Sequence, residues 1–101
     1  MEKLIVMADY SFGLFLPDGA VDPELLELPP ELCVRFATWL KRYREPDQAP
    51  DFDRAGYNAE GRALAWEIQQ ILTDKYSVAY RYLLPVQNAD DEWHWAEELV
   101  K

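Results

Sequence analysis

Residues 1–11 read MEKLIVMADYS, an apolar run that stops at Asp9-Tyr10-Ser11. Between residues 3 and 8 both alternating sets of side chains are apolar, Leu4, Val6 and Ala8 on one side and Ile5 and Met7 on the other. A strand with one wet face would alternate with polar residues, so this pattern predicts an internal strand covered on two sides. The acid, the aromatic and the hydroxyl that follow read as a cap or turn where the chain leaves the sheet. Strand ends of α/β sheets also line ligand crevices, so Asp9, Tyr10 and Ser11 are a candidate ligand corner as well.

Beyond that corner, GLFLPDGAV (residues 13–21) sets Pro17-Asp18-Gly19 between two short apolar pieces, a hairpin signal in which Pro fixes φ and Gly accepts the left-handed residue. DPELLELPP (22–30) reads as extended or irregular chain rich in acids. A helix is predicted from Pro30, suited to the first helical position, with Glu31 favourable to the dipole. Leu32, Phe36, Trp39, Leu40 and Tyr43 recur at helical spacing, and Pro46 forces Glu45 out of helical geometry, so the helix should end near Arg44. After the linker EPDQAPDFD (45–53), Asp53 is a candidate N-cap, because Phe52 and Tyr57 stand at the spacing of a hydrophobic staple. The second helix should reach about Lys75 with Tyr57, Gly61, Leu64, Ala65, Ile68, Ile71 and Leu72 on its core face. Gly61 costs about 1 kcal/mol against alanine, but with Ala65 it makes a notch that an aromatic such as Trp39 can enter.

SVAYRYLL (77–84) alternates, Val78, Tyr80 and Tyr82 against Ser77, Ala79 and Arg81, and predicts a strand. NADDEWHWAEELVK (88–101) reads as a short terminal helix opened by Asp90, Asp91 and Glu92, although Glu92-Trp93-His94-Trp95 also alternates. The order strand, hairpin, helix, helix, strand, terminal segment implies an α+β or small α/β fold. The expected form is a single-domain two-layer sandwich over residues 1–101, with two antiparallel helices on one face of a small sheet and residues 86–101 able to act separately. Met7, Tyr80 and Tyr82, with Trp93 and Trp95, are expected to cover the other face or to form an aromatic contact surface there.

Ala8-Asp9-Tyr10 after a strand, Asp22-Pro23-Glu24-Leu25 before the first helix, Trp39 and Tyr43 within it, and Glu60-Gly61-Arg62-Ala63-Leu64-Ala65 in the second helix resemble a group of small acidic bacterial proteins of similar length. Those are known mainly as hypothetical proteins, so the resemblance implies a layout over residues 3–83 and no particular activity. In size, charge and architecture the chain is also similar in type to immunity proteins of bacterial toxin systems, which implies a toxin as partner. The tail after Pro85, rich in tryptophan and acids, departs from the group's pattern and is where an individual partner preference would lie.

The chain has 101 residues, half of them hydrophobic and 14% aromatic, enough for one core without a metal or disulfide. Cys33 is the single cysteine and reads as a small buried hydrophobe. The opening MEKLIV is too short an apolar run for a secretory signal, and no stretch approaches the ~20 apolar residues of a membrane span, so a cytoplasmic location is expected. Nineteen acids against ten bases give a formal charge of −9, which repels nucleic-acid backbones and anionic lipid. One histidine, His94, and one thiol give no metal-ligand spacing, and no G-x-S-x-G elbow or glycine-rich phosphate loop is present. No cofactor, metal or catalytic group is therefore expected.

What remains is a surface. Acids steer a cationic protein and aromatics anchor it, and a nuclease must be basic where it holds phosphate. The expected function is a non-enzymatic inhibitor or immunity protein that neutralises a basic toxin domain such as a nuclease. Asp90, Asp91, Glu92, Trp93 and Trp95 are the leading contact residues, followed by Glu24 and Glu27. Alternatives are an interaction or regulatory module that dimerises through the aromatic sheet face, and a small enzyme using Asp9, Tyr10 and Ser11.

Overall fold

A computed structural model describes residues 2–8, 13–43, 52–85 and 93–100, with side chains for all of these except 83–85, 93 and 94. The elements run β1 (Glu2–Met7), β2 (Leu14–Leu16), β3 (Gly19–Ala20), a 3-10 turn (Pro23–Leu26), α1 (Pro30–Lys41), α2 (Arg54–Ile71), β4 (Tyr76–Pro85) and β5 (Trp93–Leu99). They form an α+β fold on a five-stranded mixed sheet ordered β3-β2-β1-β4-β5. β1 and β4 are parallel, joined through the helices, and the other pairs are antiparallel. The apolar β1 run thus lies inside the sheet, as expected, but only its Leu4, Val6 and Ala8 side is buried; Ile5 and Met7 are partly exposed, so the expectation of cover on both faces is corrected. β2 and β3 form the expected hairpin around Pro17-Asp18, with Gly19 at φ 139°, a value open to glycine.

Register sorts the side chains into two faces. Val6 pairs with Tyr80 and Leu14, and Leu4 with Val78, on the face that carries the core. Tyr80 there meets Trp39 of α1 at a ring-centroid distance of 6.2 Å, and its hydroxyl donates to Asn58 of α2 at 2.9 Å. The Gly61 notch is real: a Cβ at this position would stand 2.6 Å from Trp39 Cζ2 and 2.5 Å from the Tyr80 hydroxyl. Tyr80 and Tyr82 stack with centroids 5.5 Å apart on this core face, whereas Met7 pairs with Arg81 on the opposite one. The expectation that Met7 shares a face with the two tyrosines is corrected by that register, since successive residues of a strand point to opposite sides.

The terminal segment is a strand where a helix was expected. β4 is ten residues long and β1 occupies only one of its edges, so the backbone groups on the other edge need partners, and β5 supplies them from Trp93 opposite Pro85 to Leu99 opposite Ala79. Its exposure alternates, Trp95, Glu97 and Leu99 outward and Ala96, Glu98 and Val100 partly covered. The DPELLELPP stretch, expected to be irregular, winds Pro23–Leu26 into a 3-10 turn that buries Leu26. α1 ends at Lys41, a turn short of Arg44, though Tyr43 is still buried. Asp53 caps α2 as predicted, accepting from the Gly56 N–H. α2 stops at Ile71, a turn short of Lys75, and Ile71 is 46% exposed rather than core, because it falls at the edge of the stripe centred on Ile68. The side chain of Gln69 then locks helix to sheet, donating to the Tyr76 carbonyl at 3.0 Å and accepting from the Val78 N–H at 2.7 Å.

Candidate protein-binding surface

Alternation along β5 places Trp95, Glu97 and Leu99 on the face opposite Tyr80, beside Ala79 and Arg81 of β4, Ile5 and Met7 of β1 and Phe15 of β2. Trp95 is 49% and Leu99 61% exposed, and Ile5, Met7 and Phe15 are partly exposed. None of these five packs against the main core cluster. One charged group spans this face: Glu97 accepts from Lys3 of β1 and, at 2.7 Å, from Arg81 of β4. Those two cations, Lys3 first, hold the Glu97 carboxyl below the ordinary carboxylate range. The acid is therefore an internal clasp among partly exposed apolar residues.

Arg62 of α2 fixes β5 from the other side, pairing with Glu98 and lying over the Tyr82 ring at 4.6 Å. The hydrogen bonds and ion pairs of the clefts are likewise structural. A cleft of about 210 Å³ between α1 and α2 is bridged by Arg35 and Glu67 at 2.6 Å. A hollow of about 480 Å³ holds Arg42 paired with Glu60, beside Asp53 committed to its cap. Burial raises the phenol pKa of Tyr57 and of Tyr80, so both stay neutral donors. Cys33 is partly exposed, with its sulfur 3.7 Å from the Leu28 carbonyl. Among the described residues no group of three His, Cys, Asp or Glu is placed to hold a metal, and no helix is long and apolar enough to cross a membrane.

Of the predicted contact residues, the described ones fall in two places, Trp95 on β5 and Glu24 with Glu27 at the 3-10 turn. Asp9, Tyr10, Ser11, Asp90, Asp91 and Glu92 lie outside the described residues, and Trp93 is described only as the backbone residue that opens β5. Glu24 and Glu27 are exposed on and after the 3-10 turn, where Glu27 borders a hollow with Leu72, Lys75 and Tyr76 at the start of β4. Trp95 pairs with Leu83, seven residues along that strand, so roughly 23 Å of strand separates the two groups. Asp18, Asp22, Glu24 and Glu27 are all exposed and make no ion pair with a described residue. Sequence reading missed Ile5, Phe15 and Leu99 as members of the Trp95 face; the period-two pattern of the tail was the signal for Leu99, whereas Ile5 and Phe15 join through strand register. Compared with known proteins, the chain matches no family model, no curated protein and no solved structure.

Proposed function

We propose that this chain is a non-enzymatic inhibitor of the immunity type, which binds a basic protein partner such as a nuclease toxin domain in the cytoplasm. In this reading α1 and α2 run antiparallel and cover the Tyr80 face, while the Trp95 face is left for the partner. The observation that carries it is the exposure of Trp95 and Leu99 on one sheet face with Ile5, Met7 and Phe15 beside them. An aromatic anchor among partly exposed aliphatics has the composition of an interface centre. The formal charge of −9 supplies the steering, and the unpaired acids from Asp18 to Glu27 are its described source.

The test uses the wild-type chain and a Trp95→Ala/Leu99→Ala variant as bait in lysate of the native host. The reading requires a basic protein that is retained by the wild type, released by salt and lost with the variant, and whose activity falls when the chain is added. A retained protein that is acidic, or equal retention by both baits, contradicts it.

A further inference from the structure

The two edges of the sheet are protected unequally. β3 is two residues long, whereas β5 is a seven-residue strand without proline, and its charged side chains are already paired within the chain. Short length, proline and free lysine are what normally discourage an edge from pairing, and β5 has none of them among its described side chains. The N–H of Val100 donates to the Val78 carbonyl at 2.9 Å. Main-chain groups alternate along an antiparallel strand, so Glu98, Ala96 and His94 turn theirs toward β4, and Leu99, Glu97, Trp95 and Trp93 present theirs at the outer edge, where no described strand pairs with them.

The geometry points to a second copy of this chain as the occupant of that edge, its β5 pairing antiparallel with the first about a two-fold axis at Ala96. Only registers that match outward-turned residues keep the ladder, and they differ by shifts of two. One of them sets Glu97 against Glu97 of the other copy, and another, centred on Trp95, pairs only residues 93–97. The register centred on Ala96 overlaps all seven residues and sets Glu97 against Trp95, Glu98 against His94 and Leu99 against Trp93, with no acid facing an acid. Like charges directly opposite destabilise a pair, so charge and overlap together select this register. Pairing makes one ten-stranded sheet and joins the two Trp95 faces.

Each copy carries −9, so the copies repel at long range and the dimer tightens as salt rises, whereas binding of a basic protein weakens. Sedimentation equilibrium of the chain alone, from micromolar to millimolar concentration, should show a shift toward twice the chain mass that is larger at high salt. Trp95→Pro removes an outward-turned donor from each copy and leaves the β4 ladder intact. With its fold confirmed by circular dichroism, it should raise the dissociation constant at least about tenfold, equivalent to about 1.4 kcal/mol.

In a Cys33→Ser background, Ala96→Cys should cross-link readily under mild oxidation. Residues facing each other in a non-hydrogen-bonded pair have Cα atoms about 4.5 Å apart, within disulfide range. Glu98→Cys should not cross-link. A chain that stays monomeric throughout, or cross-linking as fast at position 98 as at 96, overturns the proposal. Neither result involves the basic partner, so the two readings fail separately.

Discussion

Trp39 and Tyr57 bond to each other twice: the Trp39 indole N–H donates to the Tyr57 carbonyl at 3.1 Å, and the Tyr57 hydroxyl donates to the Trp39 carbonyl at 2.9 Å. Their rings stack between the two bonds with centroids 4.7 Å apart. Each side chain thus recognises the other's backbone, which fixes α1 against the first turn of α2.

The pair predicts strong coupling. The Trp39 carbonyl also accepts from the Arg42 N–H at 3.2 Å, so Tyr57→Phe leaves it partnered and should cost only about 1 kcal/mol. Trp39→Ala opens a cavity at a site with no exposed surface and should cost about 3 to 5 kcal/mol. In a Trp39→Phe/Tyr57→Phe cycle by urea denaturation, the interaction energy should lie between about 0.5 and 3 kcal/mol. Additive single mutants would show that the double bond contributes nothing cooperative.

Gly61→Ala sets two effects against each other. Alanine is better by about 1 kcal/mol in a helix interior, but its Cβ would press within 2.6 Å of both Trp39 and the Tyr80 hydroxyl. Overpacking of this kind typically costs about 1 to 3 kcal/mol, and neither ring is a flexible chain end that can give way. Thermal melting should therefore show a net loss of stability; a raised Tm would mean that the notch is not occupied.

Stability should fall at both ends of the pH scale through named groups. The Glu97 carboxyl is held low by Lys3 and Arg81, so its contribution is complete above the ordinary carboxylate range and is lost as pH falls through its lowered pKa. Glu97→Gln should flatten the acid limb of a denaturation profile. Burial raises the phenols of Tyr57 and Tyr80, so their contribution is complete below about pH 10, the ordinary tyrosine value, and is lost above it. Tyr80→Phe should flatten the alkaline limb. An unchanged acid limb in Glu97→Gln would remove the cross-strand clasp.

The parts of the fold legible in the sequence are those in which one periodicity dominates. β1 is apolar on both faces and lies at the sheet's centre; β4 alternates; the stripe from Leu32 to Tyr43 and the Asp53 cap lie where spacing puts them. β5 was misread because its inward set, Ala96, Glu98 and Val100, contains a carboxylate. Arg62, thirty-six residues earlier, pairs with that acid across the fold, and no local pattern carries such a contact. The Trp95 face was half legible for the same reason. Trp95 stands out in the sequence and Leu99 follows from alternation, but Ile5 and Phe15 join them only through strand register, which is a property of pairing partners.

Contact between the Trp95 face and a basic protein is decided by rate constants, measured with the protein captured from the native host at low and at physiological salt. Charge reversal of Asp90, Asp91 and Glu92 to lysine should slow association and reduce its salt dependence, while Trp95→Ala should leave association nearly unchanged and speed dissociation at least about tenfold, equivalent to about 1.4 kcal/mol. Unchanged association in the charge reversals, together with unchanged dissociation in Trp95→Ala, would contradict the assignment and move the contact surface to Glu24 and Glu27 at the other end of β4.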